Sequence, residues 1–527
     1  MLDVLIKDGT VVDGTGQPAF RADVAIAGGH IVAVGASVTQ EARRVISASG
    51  LHVAPGFIDP HTHSDLTLLT DRRGMSKIRQ GVTTEVVGNC GSSPAPITGA
   101  AVAEIEAETA RIGVSTVWRS MAEYLDQFRK GGVGVNVVPL VGHNTVRGCV
   151  LGYNDVQPTP AQQEAMQRVV AESMEQGARG LSTGLFYPPG FYAKTEEVIG
   201  LAKVAARYGG IYASHIRSES DLLIESVAEA IEIGEKSGIR VEIAHIKAEG
   251  YQNWGLVDKL VATLDDGVKR GVKLGCDQYP YMACSSWLGC ILPYWAQQGG
   301  HKDVSQRMAD PATRAMLAQD FIQNRSDWDN RSGVREWNEI LIVNCPGRHE
   351  VEGMDVAQIA AKDGKDPLIA AFDLIVVSDG AVGAVYFDQL EENVKTLMRH
   401  PLVAVGSDGR AVSPDGVLGE RKMHPRYYGT FARVLGRYVR EEKVLSLEQA
   451  VCKMTSMSAE RYGLAGRGVI KAGNWADITV FDASRVKDAA TFADPAQYAV
   501  GIPYVIVNGA VTIDQEQHTG VLAGQVL

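Results

Sequence analysis

The sequence predicts an α/β protein: a (β/α)8 TIM barrel with a small β-sandwich domain formed from both chain ends and a lid-like insertion. Three observations lead there. Short β-branched runs alternate with helix-like stretches through the middle of the chain, hairpin signals occupy both ends, and His, Cys and Asp residues recur just after the apolar runs.

The first segment has apolar runs broken by Asp8-Gly9, Asp13-Gly14 and Gly28-Gly29, pairs that suit tight hairpin turns. Similar signals return in ADITVFD (476–482) and in YVIVNGAVTI with its Asn508-Gly509 turn. One small β domain from residues 1–54 and 465–527 accounts for both, with 55–464 inserted as the barrel. Within that span TTEVVGNC, VGVNVVPLVGH, IYASHI, IRVEIAHI, VKLGCDQY and LVAVGSDG read as strands. Counting from FIDPH, with 178–184 as the fourth, the run gives about eight, and strands alternating with helices imply a parallel sheet. A helix is predicted after Thr159-Pro160, an N-cap and first-turn pair, ending near Gly177 with Met166, Val169, Val170 and Met174 on one face. The stretch from about 285 to 339, rich in Trp, Gln, Asp and Arg, breaks the alternation and reads as an insertion over the barrel mouth.

Composition narrows the function. The 527 residues are 45% hydrophobic and 21% charged, with a formal net charge of -11, which argues against nucleic acid or an anionic membrane as partner. No apolar run approaches the ~18 residues of a membrane span. The start MLDVLIKDGTVVDGTG lacks the pattern of a signal peptide. Seven scattered cysteines argue against a disulfide framework and make the cytoplasm the default compartment.

Side chains with metal-ligand chemistry mark the strand ends. The first strand ends in His61 and His63, the second in Cys90, the third in His143, the fifth in His215, the sixth in His245 and the eighth in Asp408. In a (β/α)8 barrel all these ends converge on one mouth. His61 and His63, at i and i+2 of an extended chain, share a face. Any one such histidine alone reads as a capped or core residue. Imidazole, thiolate and carboxylate together suit Zn²⁺ with one position left for water.

Those positions, with VGNCGSSPAP, STGLFYPPGFY, EIAHIKAEG, VGSDG and HPRYYGTFARVLGRYVRE, resemble the N-acyl-D-amino-acid deacylases (D-aminoacylases) of the amidohydrolase superfamily over nearly the whole chain. The resemblance implies zinc-dependent hydrolysis of the amide bond of N-acyl-D-amino acids. It matches Cys90, His215 and His245 to tight zinc ligands, His61 and His63 to a second, weaker metal position, and Asp408 to the catalytic carboxylate. It matches Arg426, Lys247 and Tyr187 or Tyr192 to groups that bind the substrate α-carboxylate, and places Tyr281, Ser285 and His143 among the substrate-binding residues. The fourth strand ends in LSTGL and offers no lysine to bridge two metals, so the Cys90 thiolate stands where such a lysine would be needed. Other readings stay open: Cys90 as a buried small hydrophobe, Asp408 as a turn residue before Gly409, Lys247 and Arg426 as solvated charges. In WLGCILPYWAQQ, Tyr294 and Trp295 present apolar surface and no cation, which predicts neutral, hydrophobic or aromatic D-amino acids over D-Asp or D-Glu.

Three rivals remain. A hydantoinase or dihydropyrimidinase-like cyclic-amide hydrolase shares the barrel and the HTH pattern but uses the bridging lysine. A serine hydrolase would use GLSTG (180–184), whose elbow needs a following helix that Pro188 and Pro189 oppose. A non-catalytic scaffold would have shed ligands that this chain keeps. The oligomeric state is not written in the sequence.

Overall fold

The computed structural model describes residues 1–323 and 336–527, with the side chains of 321–323 excepted. Eight parallel segments pair in chain order. Phe57–Asp59 pairs with Val82–Val87, and that strand pairs with Asn136–Pro139. The third strand breaks at Leu140 and resumes as Val141–Gly142. Beside it lie Gly180–Gly184, Ile211–His215, Arg240–Ile243, Leu274–Gln278 and Val403–Val405, every pairing parallel. The last segment meets the first through a parallel Thr62–Gly409 bridge, where Asp408 N donates to His61 O and His63 N to Gly409 O, each at 2.9 Å. These contacts complete a ring and bring the first and eighth strand ends together.

Buried ions brace this closure. Lys77 Nζ donates to Asp59 Oδ2 at 2.8 Å and also reaches Ser407 Oγ, while Ser407 N donates to Asp59 Oδ1 at 2.9 Å. Lys77 and Asp59 are fully buried, so removing either would leave an uncompensated charge, a loss of about 3–5 kcal/mol.

Between strands run helices whose ends are written locally. Pro160–Glu175 starts at Thr159, whose hydroxyl accepts from Gln162 N in a capping box, and buries Met166, Val170 and Met174. Val169 packs half-buried beside them. One large apolar core joins these helices to the ring, and it includes Phe57, Val87, Val141, Leu181, Ile243 and Val405.

Both chain ends form one nine-stranded sheet. His52–Pro55 pairs antiparallel with Ile478–Phe481, over a core of Val4, Ile6, Val24, Val53, Ile478 and Ile506. Gly28-Gly29 and Asn508-Gly509 turn hairpins as expected. Asp8-Gly9 does not. It lies inside the single strand Leu2–Val11 and makes a bulge, with Asp8 at φ 59°. A Cβ at Gly9 would meet Val53 at 2.6 Å, so close packing favours glycine there.

The insertion is larger than 285–339. Cys284–Trp287, Ile340–Asn344 and Gly383–Tyr386 form a separate antiparallel sheet. With the helices His301–Ala309, Val356–Asp363 and Pro367–Val377 it encloses its own core of Leu288, Val304, Ile342, Ile359, Phe372 and Tyr386. The expected end at 339 fails because Ile340–Asn344 has the same β-branched composition as a ring strand, and composition does not say which sheet a strand joins. Residues 324–335 of the expected insertion lie outside the described residues. Among the described residues, no helix is long and apolar enough to cross a membrane.

Candidate metal centre and active site

Six of the expected residues, carried on five strand ends, converge within a few ångströms. Cys90 Sγ lies 3.3 Å from His61 Nε2, 3.4 Å from His245 Nε2 and 3.6 Å from His215 Nδ1. At the same His61 nitrogen, Asp408 Oδ1 lies 3.6 Å away, and it is 3.2 Å from His63 Nε2. Donor atoms of His61, Cys90 and His245 fall within 4.8 Å of one another, as do those of His61, His63 and Asp408.

The backbone reaches these positions by unusual turns. Cys90, His245 and Asp408 all sit at positive φ, at 50°, 34° and 49°. Such conformations cost non-glycine residues about 1–3 kcal/mol each and persist only where the surroundings hold them. Here Gly184 helps, since a Cβ on it would meet Cys90 O at 2.2 Å. That glycine ends the fourth strand, at the LSTGL segment where no lysine stands.

Electrostatics make the cluster ready for a cation. Burial opposes ionisation of Cys90, yet His61, His245 and His63 outweigh it and hold the thiol well below its usual range. Burial likewise opposes Asp408, but Arg426, His245 and His63 hold its carboxyl well below the usual carboxylate range. His245 is pushed up to about 9 against burial and Lys247, chiefly by Glu219. A cation entering here would displace protons from the imidazoles, as metal binding to such ligands does.

The spacing fits zinc. A sulfur and a nitrogen on one tetrahedral zinc lie about 3.6 Å apart, given bonds of about 2.3 Å and 2.0–2.1 Å. The three sulfur–nitrogen distances here, 3.3 to 3.6 Å, are close to that separation. Two carboxylates orient the imidazoles from behind, in the manner of outer-shell partners. Glu219 Oε1 lies 2.9 Å from His245 Nδ1, and its Oε2 3.8 Å from His215 Nε2. Asp277 accepts from His245 N at 2.9 Å and lies 3.6 Å from His61 Nδ1. Neither acid was singled out in the sequence, although Glu219 stands four residues after His215 and Asp277 interrupts an apolar run.

A cavity of about 1100 Å³ opens onto this cluster, lined by His63, Cys90, His215, His245 and Asp408 together with Lys247 and Arg426. Arg426 Nη1 is 2.9 Å from Asp408 Oδ2, and the guanidinium stacks 4.8 Å above the Tyr279 ring. Although buried, Arg426 Nε finds no hydrogen-bond acceptor among the described residues, and Nη1 meets Asp408 as an ion pair. The Lys247 ammonium is already engaged: Nζ donates to Glu219 Oε2 at 2.6 Å and to His245 O at 2.9 Å. Tyr187 and Ser285 line the cavity, Tyr187 bonded to Ser286 Oγ at 3.1 Å and Ser285 donating to Ala384 O at 3.1 Å.

Other expected residues lie elsewhere. His143 opens the helix His143–Val150 and is wholly buried, its Nε2 2.7 Å from Glu197 Oε1, whose other oxygen accepts from Arg147. That ion cluster turns His143 away from the cavity. Tyr192 does not line the cavity either, and Tyr281 is buried under Arg433 and beside His424. Tyr294 stacks on Phe191 with centroids 3.5 Å apart, and neither it nor Trp295 reaches the cavity wall. Ser182 of GLSTG is buried within its strand and bonded to Gly88 O, without the exposed elbow that a nucleophile needs.

Comparison with known proteins places the chain in a family. The amidohydrolase family model matches residues 44–273 and 309–513. The chain is 37% identical over 517 residues to an N-acyl-D-glutamate deacylase of Alcaligenes xylosoxydans xylosoxydans, covering 98% of this chain and 94% of that one. It is 36% identical over 530 residues to a D-aminoacylase of the same organism, covering 100% and 97%. Among solved structures, N-acyl-D-glutamate deacylase from Bordetella bronchiseptica, complexed with zinc and a phosphonate mimic of the tetrahedral intermediate, superposes with a TM-score of 0.84 at 36% identity, covering 100% and 99%. The chain belongs to the amidohydrolase family, within its N-acyl-D-amino-acid deacylase (D-aminoacylase) group.

Proposed function

We propose that this chain hydrolyses the amide bond of N-acyl-D-amino acids with the aid of zinc, releasing a carboxylate and a free D-amino acid with a neutral hydrophobic or aromatic side chain. The observation that carries the reading is Asp408, a buried carboxylate beside both the imidazole–thiolate cluster and Arg426 at one cavity wall. The D stereochemistry is supported by the names of the relatives, 36–37% identical over nearly the full chain. In this reading the ring of eight parallel strands is a (β/α)8 barrel, and the terminal sheet is the β-sandwich domain of residues 1–54 and 465–527.

Cys90, His215 and His245 would hold one ion tightly, and His61 and His63 a second one weakly. When bound, zinc supplies Lewis-acid polarisation of the amide carbonyl and acidifies water. The chain's own residues do the rest. Asp408 accepts the proton of the attacking water and later returns it to the departing nitrogen, a task suited to a positioned carboxylate held ionised at neutral pH. Arg426 offers its guanidinium, whose Nε has no acceptor among the described residues, to the substrate α-carboxylate, and Lys247 adds a point charge on the same cavity wall. Glu219 and Asp277 keep the imidazoles in place.

Arg426→Ala is expected to raise KM by roughly 10–100-fold, from the loss of charge-assisted hydrogen bonds worth about 1.5–3 kcal/mol. An unchanged KM in steady-state assays would remove Arg426 from substrate binding.

The side-chain preference rests on Phe186, Tyr187, Trp287, Cys290 and Tyr386, which line the cavity and provide apolar surface in place of Tyr294 and Trp295. Arg111, Arg410 and Arg421 face the same cavity, so paired substrates decide which wall takes the side chain. We expect N-acetyl-D-leucine to show a kcat/KM at least tenfold above that of N-acetyl-D-glutamate. Faster turnover of the glutamate would overturn the preference.

A further inference from the structure

A second group of metal-binding side chains lies apart from the Cys90 cluster and shares no residue with it. Donor atoms of Glu249, Cys284 and Asp388 fall within 4.8 Å of one another. They come from three separate parts of the fold: the loop after the sixth ring strand, the first strand of the insertion's sheet, and the segment that follows its last strand. Glu249 and Cys284 face the main cavity, while Asp388 is 1% exposed behind them.

We propose that Glu249, Cys284 and Asp388 form a further divalent-cation site, for Zn²⁺, on the cavity wall. The donor set of one thiolate and two carboxylates suits zinc, with a fourth position open toward the cavity for water.

Three observations support the assignment. Asp388 Oδ2 accepts from Cys284 Sγ at 3.1 Å, whereas Oδ1, equally buried, has no hydrogen-bond partner among the described residues. A buried carboxylate oxygen left in that state costs about 1–3 kcal/mol or more, and a cation would satisfy it. Charge points the same way. Lys247 lies 3.7 Å from Glu249 and is already held at 2.6 Å by Glu219. Burial, followed by Glu249, drives the Asp388 carboxyl well above its usual range, and burial followed by Asp388 and Glu249 does the same to the Cys284 thiol. Zinc binding would release the protons of Cys284 and Asp388 to solvent and leave both ionised on the metal.

The test uses the full-length protein, stripped of metal and titrated with Zn²⁺, and it reads no activity, so its outcome is independent of the hydrolase reading. Zinc per chain is counted after dialysis for the wild type, Cys284→Ala and Asp388→Asn. Alkylation of Cys284 by iodoacetamide is followed by peptide mass spectrometry with and without zinc, in the wild type, Asp388→Asn and Cys90→Ala. We expect the two site variants to hold one ion fewer than the wild type. Zinc should slow Cys284 labelling more than tenfold in the wild type and in Cys90→Ala, but not in Asp388→Asn. Equal zinc counts in all three proteins, or Cys284 labelling indifferent to zinc in the wild type, would overturn the site. The wild-type and Cys90→Ala labelling decides the matter if either site variant fails to fold.

Discussion

Asp408→Asn is expected to keep the fold and the zinc at Cys90 while kcat falls by about 10²–10⁴, the contribution of a positioned acid–base group. Asparagine suits the position for two reasons. It tolerates the left-handed backbone at φ 49°, where most residues are strained. The closure of the ring runs through backbone bonds, Asp408 N to His61 O and His63 N to Gly409 O, which the substitution leaves in place. What disappears is the carboxylate that Arg426, His245 and His63 hold ionised. Circular dichroism, zinc content and steady-state kinetics separate these effects. Near-normal kcat with a normal fold would remove Asp408 from the chemistry.

Cys90→Ala is expected to abolish tight zinc binding, and activity with it. Cys90 Sγ is the common neighbour of three imidazole nitrogens, and among the described residues no other side chain links His61, His215 and His245 at that range. Loss of an outer-shell partner weakens metal binding by about 10–100-fold, and loss of a ligand should exceed that. Alanine bears the same Cβ penalty at φ 50° that cysteine already bears, so the backbone gives no separate cause of failure. Zinc content after dialysis against a chelator is the measurement; stoichiometric zinc in the variant would refute the assignment of Cys90 as a ligand.

The residues that converge on the candidate metal centre were legible because they occupy one topological place, just beyond the ends of ring strands, and parallel strands gather those ends on one side. Glu219 and Asp277 were harder to see. They lie behind the imidazoles from other parts of the ring, and a sequence does not display which loop lies behind which imidazole. His143 shows the reverse error. It stands at a strand end, yet it opens a helix and turns toward Glu197, 54 residues away in the chain, which also accepts from Arg147. Hairpin pairs were read correctly where a turn was free to form, at Gly28-Gly29 and Asn508-Gly509, and misread at Asp8-Gly9, where a bulge has the same local chemistry. The insertion's far boundary was missed because its strands differ from ring strands only in their partners. Tyr294 and Trp295 were expected to present the aromatic surface, but neither lines the cavity; Phe186 and Tyr187, with Trp287 and Tyr386 of the insertion's sheet, do so instead.

The measurement that bears most directly on the account is amine release from N-acetyl-D-methionine and N-acetyl-L-methionine, each before chelation, after chelation and after zinc is returned. The account predicts release from the D form alone, lost on chelation and restored by zinc. Absence of release from the D form, release from the L form, or release indifferent to chelation would contradict it.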